Sequence, residues 1–230
     1  MNTNHEKVPM SSKTIWNTLI VSSFVSAAVA GGNPTLILDD FDNEPNDDAG
    51  GPRELFTTVL DDGDFGGLQR FDVVTDSMFD GDEGSLVFET GTGVEMQSTI
   101  RWDNADAGLG LDAAALGLLG FELDFAVIDQ DFDLELTLED GNGLTTSIIR
   151  TVLAHNSSDP IRIESFGIGE FDLTGFDATN VASVEFTFNR RSGVVDGLDF
   201  AALEFRAVVP TPGSIALLGL GGLLAARRRR

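Results

Sequence analysis

Cysteine and tyrosine are both absent from this 230-residue chain. Without cysteine there is no disulfide to staple the fold, no thiolate nucleophile and no sulfur ligand for zinc. Lysine stops at Lys13, so every later fixed positive charge is an arginine. Histidine occurs only as His5 and His155. A catalytic triad or a histidine-built zinc site therefore has little to draw on. Long apolar runs are missing from the middle of the chain and occur only at its two ends.

Acid is what the chain has in excess. Residues 31–208 hold 37 acidic side chains against 8 arginines, a formal net charge of −29. Such a surface repels nucleic acid and, unless cations intervene, anionic polysaccharide. It suits either solvation in salty water or the binding of divalent cations. The segment is one domain's worth of chain and long enough to bury a core.

The front end has the layout of an export signal. Lys7 and Lys13 precede the mostly apolar stretch Ile15–Ala30, and Ala28-Val29-Ala30 has the small-x-small form read by signal peptidase. Cleavage is expected between Ala30 and Gly31. Residues 1–30 thus read as a signal peptide. The far end is built in three parts: the breaker Val209-Pro210-Thr211-Pro212-Gly213, an apolar run from Ser214 to Ala226, and the terminal cluster Arg227, Arg228, Arg229, Arg230. Pro210 and Pro212 oppose helix, and Ser214 is a good residue to start one. The run reaches roughly 20 Å as a helix, short of the ~30 Å hydrocarbon core, with its basic end suited to the cytoplasmic interface.

This tail resembles the PEP-CTERM sorting sequence, read by the membrane-bound protease-transpeptidase exosortase. Val209, Pro210 and Pro212 match the family's Val-Pro-Glu-Pro, Thr211 stands where Glu is usual, and the apolar helix and arginine cluster follow in order. The resemblance covers residues 209–230. It implies export, transient anchoring in the inner membrane, processing near the proline motif, and delivery to the cell surface or extracellular matrix. Signal peptidase and an exosortase-type protease are the partners so implied.

Between the ends, period-2 alternation dominates. Phe121, Leu123, Phe125 and Val127 share one face; Phe132, Leu134, Leu136 and Leu138 alternate with Asp133, Glu135, Thr137 and Glu139; Val184, Phe186 and Phe188 alternate with Glu185 and Thr187. Each reads as a half-buried strand, apolar side in and acid side out. Further strands are expected at 36–41, 55–60, 68–74, 85–89, 94–102, 144–152, 161–165 and 198–207. Asp140-Gly141-Asn142-Gly143 is a hairpin signal. A short helix is expected over Asp112–Leu119, capped by Asp112 and stopped by Gly120. Asn43–Arg53 reads as a surface loop. Many short strands at regular spacing predict an all-β antiparallel sandwich spanning 31–208, flanked by the signal-peptide and sorting helices.

The body also resembles the galactose-binding-like jelly rolls. The likeness is carried by the opening strand Leu38-Asp39-Asp40-Phe41-Asp42, the closing strand Gly197-Leu198-Asp199-Phe200, and the segment from Phe171-Asp172-Leu173 to Val184–Phe188. It implies a structural calcium where first and last strands meet, on Asp40, Asp42 and Asp199. Calcium wants six to eight oxygens, which clustered carboxylates supply. Asn46, Asp47 and Asp48 form a second candidate. Asp129, Asp131 and Asp133 alternate as in an EF-hand, but Leu134 occupies the position that needs glycine. For sugar binding, Trp102 beside Arg101, Asp103 and Asn104 is the one strong platform candidate; the other reading makes it a core or rim residue. His155-Asn156-Ser157-Ser158-Asp159 gathers triad residue types in one segment, whereas triad members converge from separate ones.

The expectation is an exported, surface-sorted and non-catalytic protein, structural or adhesive, with no cofactor beyond structural calcium. The alternative is a calcium-dependent module for extracellular polysaccharide. A carboxylate-based polysaccharide hydrolase is the more distant reading.

Overall fold

The alternating stretches do form strands, and they sort into two sheets by which apolar face each can bury. A computed structural model describes residues 35–42, 48–63, 67–74, 84–190 and 195–210, all within the unit Asn33–Arg230. The expected signal peptide and the sorting segment from Thr211 onward lie outside these residues. Among the described residues no helix is long and apolar enough to cross a membrane.

The described residues form eleven strands, in chain order β1 (Thr35–Asp39), β2 (Arg53–Asp61), β3 (Gln69–Val74), β4 (Ser85–Thr90), β5 (Glu95–Trp102), β6 (Gly120–Ile128), β7 (Phe132–Asp140), β8 (Thr145–Val152), β9 (Arg162–Gly167), β10 (Val181–Phe188) and β11 (Asp199–Val208). One sheet runs β3-β4-β11-β6-β9, the other β2-β5-β10-β7-β8, and all the pairings are antiparallel. β1 shares one edge of β11 with β4: β4 pairs with Asp199–Ala202 and β1 with Phe205–Val208. The first and last strands therefore lie side by side. The chain crosses repeatedly between the sheets, giving an antiparallel sandwich of jelly-roll type.

Phenylalanine fills the space between the sheets. Phe200 of β11 stacks on Phe132 of β7 at 5.3 Å and approaches Phe188 of β10 at 4.9 Å; Phe205 meets Phe186 at 5.0 Å and Trp102 at 4.6 Å. Each fully buried ring of this kind contributes roughly 1.5–3 kcal/mol. In β7 the alternation is complete, with every second residue from Phe132 to Asp140 buried.

The alternation expected over Phe121–Val127 breaks within β6. The β6–β11 register skips Ala126 on one strand and Leu203 on the other. Inward parity then switches, so Ile128 is buried in place of Val127, and β11 turns inward first Phe200 and Ala202, then Phe205 and Ala207. Such bulges bend a strand and re-aim its side chains. The helix α1 (Ala113–Leu116) is shorter than expected. Asp112 caps it through a 2.7 Å bond from the Ala115 amide, but Gly117, in left-handed conformation at φ 61°, ends it before Gly120. The hairpin at Asp140–Gly143 forms as expected, closed by the Asp140 amide to the Leu144 carbonyl at 3.0 Å. At the C-terminal end of the described chain, Val209 packs against the core and Pro210 lies beside Gly117.

Candidate functional site

Two places gather chemistry. The first is the corner where β1 ends and β2 begins. Asp39, the last residue of β1, is fully buried. Its Oδ1 accepts from the Phe41 amide at 2.8 Å and from Arg53 Nη1 at 2.7 Å; its Oδ2 accepts from Trp102 Nε1 at 2.8 Å. Arg53 opens β2 and Trp102 closes β5, so one carboxylate ties the six-stranded sheet to the five-stranded one. The Arg53 side chain is 2 % exposed and that of Asp39 0 %. Burial pushes the Asp39 carboxyl above its ordinary range, while the Arg53 guanidinium, the indole N–H and the Phe41 amide pull it back. Phe41, bonded to this carboxylate, takes a left-handed φ of 58°. That conformation is uncommon for a bulky residue. It turns the chain sharply, and the ring is buried.

This turn presents Asp40 to Asp48. The loop carrying Asp48 returns across β1, where the Gly50 amide donates to the Leu38 carbonyl at 3.0 Å. A Cβ at Gly50 would lie 2.4 Å from that carbonyl oxygen and 2.9 Å from Trp102 Cδ1, so only glycine fits the crossing. Asp48 Oδ2 accepts from the Asp40 amide at 3.1 Å. Oxygens of Asp39, Asp40 and Asp48 all lie within 4.8 Å of one another. The Asp40–Asp48 pair titrates together. Burial, with the adjacent Asp40 carboxylate next, raises Asp48 to about 6; at Asp40 burial is outweighed by hydrogen bonds from Asp42 and Asp48, which hold it low. Two carboxylates sharing a site in this way cannot both ionise freely.

The expected calcium set is therefore redrawn. Asp40 is at the corner, and the Asp42 amide donates to Asp40 Oδ1 at 3.2 Å. Asp199 is elsewhere. It pairs with Glu89, six positions along β11 from the Phe205 that faces Asp39, roughly 20 Å at a strand's rise. There its amide donates to Asp129 Oδ1 at 2.7 Å and its Oδ1 accepts from the Thr90 amide at 2.9 Å. Asp48, from the second candidate loop, takes its place; Asn46 and Asp47 lie outside the described residues. A cation fits Asp40 and Asp48 by donor chemistry, since each offers carboxylate oxygen and the pair repels itself when ionised. It does not fit Asp39, whose two oxygens already serve Arg53, Trp102 and Phe41.

Trp102 is likewise corrected. It is 0 % exposed, its indole N–H is spent on Asp39, and its ring packs on Phe205 and Phe186. It is a core residue and cannot serve as a sugar platform.

The second place is the outer face of the five-stranded sheet. Register aligns one row across all five strands: Phe56, Thr99, Thr187, Glu135 and Ile149. At about 4.8 Å between strands the row spans roughly 19 Å. Its ends are apolar and open, Phe56 at 51 % exposure and Ile149 at 55 %. The neighbouring row reads Glu54, Arg101, Glu185, Thr137 and Ser147. Arg101 is second in this row, 3.0 Å from Asp103, 3.0 Å from Glu139 and 3.8 Å from Glu185. Burial raises the Glu185 carboxyl; Arg101 opposes this, while Glu135 and Glu139 add to it. Thr99 and Thr187 hydroxyls are 3.3 Å apart. The six-stranded sheet has its own arginine centre, with Arg206 at 2.7 Å from Asp124, 2.8 Å from Glu204 and 2.9 Å from Glu122.

His155 bonds through its backbone with Ile128, and the next residues form an exposed turn closed by the Asp159 amide on the Asn156 carbonyl at 3.0 Å. That matches a loop.

No family model and no curated protein matches the chain. Several solved structures align with it in part. A family 11 carbohydrate-binding module of the cellulosomal cellulase Lic26A-Cel5E of Clostridium thermocellum aligns over 77 % of this chain and 96 % of its own, at 11 % identity and a TM-score of 0.49. The CBM22-1 xylan-binding domain of Paenibacillus barcinonensis Xyn10C aligns over 80 % of this chain and 99 % of its own, at 13 % identity and a TM-score of 0.35. An exo-beta-agarase aligns over 76 % of this chain but 26 % of its own, at 9 % identity and a TM-score of 0.44. With identities of 9–13 % and TM-scores below 0.5, these likenesses carry no argument about this chain.

Proposed function

We propose that this protein is an exported, non-catalytic β-sandwich module that holds extracellular polysaccharide against the outer face of its five-stranded sheet. The row of Phe56, Thr99, Thr187, Glu135 and Ile149 carries the reading. Thr187 is buried, so the Thr99 hydroxyl and the Glu135 carboxylate are the groups of this row that can exchange hydrogen bonds with sugar hydroxyls, Arg101 supplies donors beside it, and the exposed apolar ends can cover the less polar faces of a sugar ring. An acidic face of this kind favours neutral over anionic polysaccharide. Glu139 and Glu185 lie 3.0 Å and 3.8 Å from Arg101, and Glu135 is 3.2 Å from Arg190, so three of the face's carboxylates are engaged with arginines. Export, and sorting by an exosortase-type system, are supported by the leader with its Ala28-Val29-Ala30 site and by the tail from Val209 to Arg230.

Calcium enters the same proposal at Asp40 and Asp48, where it would relieve their mutual repulsion and brace the corner next to Trp102. An array of neutral and anionic polysaccharides, probed with and without calcium, tests the binding. Saturable binding to a neutral glycan that falls at least tenfold in Arg101→Ala is expected. Binding to no glycan in either condition would end the reading, and release of reducing ends would replace it with hydrolysis. Separately, millimolar calcium should raise the melting temperature of the parent protein and leave Asp48→Asn unmoved.

A further inference from the structure

We propose that the folded sandwich closes this chain to a processing protease as far as Pro210, so that any cut in the Val209–Pro212 motif falls after Pro210. Strand ends and termini normally fray, and frayed backbone is where proteases act. The end of β11 is instead held on both edges. Val208, its last residue, pairs with Thr35 of β1 and with Gly120 of β6, and its carbonyl accepts from the Leu119 amide at 2.8 Å. The hold continues two residues past the strand. Val209 packs against the core. Pro210 is half-buried, with its Cγ and Cδ 3.4 Å and 3.6 Å from the place a Cβ would take on Gly117.

The seat under Pro210 is itself fixed to the core. Gly117 ends α1 in left-handed conformation, and α1 is pinned on both sides of its axis: Ala113 and Leu118 are buried, and the Ala114 amide donates to the Ala178 carbonyl at 3.3 Å. The bare Cα of Gly117 lets the proline ring come down onto the end of α1. Val209 and Pro210 thus belong to the body by packing, although the expected boundary falls just before Val209; Thr211 and Pro212 lie outside the described residues. A protease cuts backbone only when that backbone leaves its own partners. Cutting before Val209, or between Val209 and Pro210, therefore waits on local opening, whose population falls with the free energy it costs. Cleavage breaks a carbonyl carbon–nitrogen bond: the attacking nucleophile takes the carbonyl carbon, and the nitrogen leaves as an amine with one more proton. Beyond Pro210 that step leaves β11 and its contacts whole. That such a cut is a sorting step rests on reading residues 209–230 as an exosortase-type tail; the hold on Val209 and Pro210 does not.

Full-length protein in mild detergent, treated briefly with proteinase K, should give a resistant body whose C-terminus, read by intact mass, keeps Val209 and Pro210. A synthetic peptide of residues 203–216 should be cut before Val209 under the same conditions, which assigns the protection to the fold and not to the prolines. Val209→Gly removes the core contact. Gly117→Asn keeps a residue type that tolerates the left-handed turn but puts a side chain under the proline ring. In each variant the resistant body should end at Val208 or earlier, at least two residues shorter than the parent's, with the circular dichroism of the folded protein. A parent body that ends before Val209, a peptide that resists there, or variants that end where the parent does would overturn the proposal. The chain recovered from its source cells should end at Pro210 or beyond, and an end before Val209 would overturn the proposal as well. Recovery of the chain intact through Arg230 would refute the sorting reading alone, while the digestion still decides the hold.

Discussion

Replacing Asp39 by Asn exchanges one oxygen for an amide nitrogen, yet it should cost more than most single changes in this protein. The Arg53 guanidinium that faces Asp39 is 2 % exposed and 2.7 Å from Oδ1. Once the carboxylate charge is gone, a buried cation has lost its counter-charge. Breaking such a pair from one side costs about 3–5 kcal/mol. For a domain of this size each kcal/mol lowers the melting temperature by about 2–4 °C, so a drop of roughly 6–20 °C is expected. The indole N–H is not orphaned, because the Asn Oδ1 can still accept it. The Asn Nδ2 then faces the Phe41 amide and Arg53, so the loss includes the Phe41 hydrogen bond as well as the ion pair. Thermal unfolding followed by circular dichroism at pH 7 measures it. The double variant Asp39→Asn with Arg53→Met should recover part of the loss, since removing both charges spares the desolvation of either. A loss under about 1 kcal/mol for Asp39→Asn, or no recovery in the double variant, would refute the claim that this charge pair holds the two sheets together.

Other changes follow from the same corner and from the hairpin. Gly50→Ala forces a Cβ to within 2.4 Å of the Leu38 carbonyl oxygen and should destabilise by about 1–3 kcal/mol, read by chemical denaturation. Asp48 titrates at about 6 in the fold against an ordinary 3.8, so the stability its proton brings is complete below 3.8 and is lost as pH rises through about 6. With chelator present, Asp48→Asn should therefore gain stability on the parent between pH 5 and 7, by up to about 1 kcal/mol at this partly solvated site. Asp140 shows the opposite sign. Bonds from the Asp177, Leu144 and Asn142 amides hold its carboxyl low, so its contribution is present above the ordinary value and is lost as acid protonates it. Asp140→Asn should accordingly flatten the acid limb of the stability curve.

The strands were legible because half-buried β-structure writes itself as alternation, and each expected strand appears within a few residues of its place. What escaped was set by partners distant in sequence. The parity switch from Phe125 to Ile128 depends on a matching skip at Leu203 in β11. Asp199 shares with Asp39 the β1–β11 neighbourhood, but antiparallel register, invisible in either segment alone, sends them to different ends. Trp102 sits at a strand end flanked by polar residues, the pattern of a surface platform; only the buried acceptor on Asp39 explains how its N–H tolerates the core. A signal for the corner was nonetheless available. Gly50-Gly51 two residues after Asp48, with Arg53 just beyond, marks a loop that must pass tightly over something and deliver a charge inward.

The order of strands across the sheets bears on biosynthesis. The two central strands, β10 and β11, are the last two to be made. Until β10 emerges from the ribosome, its sheet exists only as the separate pairs β2–β5 and β7–β8; until β11 follows, β1 has no neighbour and β3–β4 stays apart from β6–β9. Long-range pairings of this kind are slow to form. Among the described residues the centre of each sheet is thus filled last, and the sandwich is complete only when the final strand slots between its waiting partners.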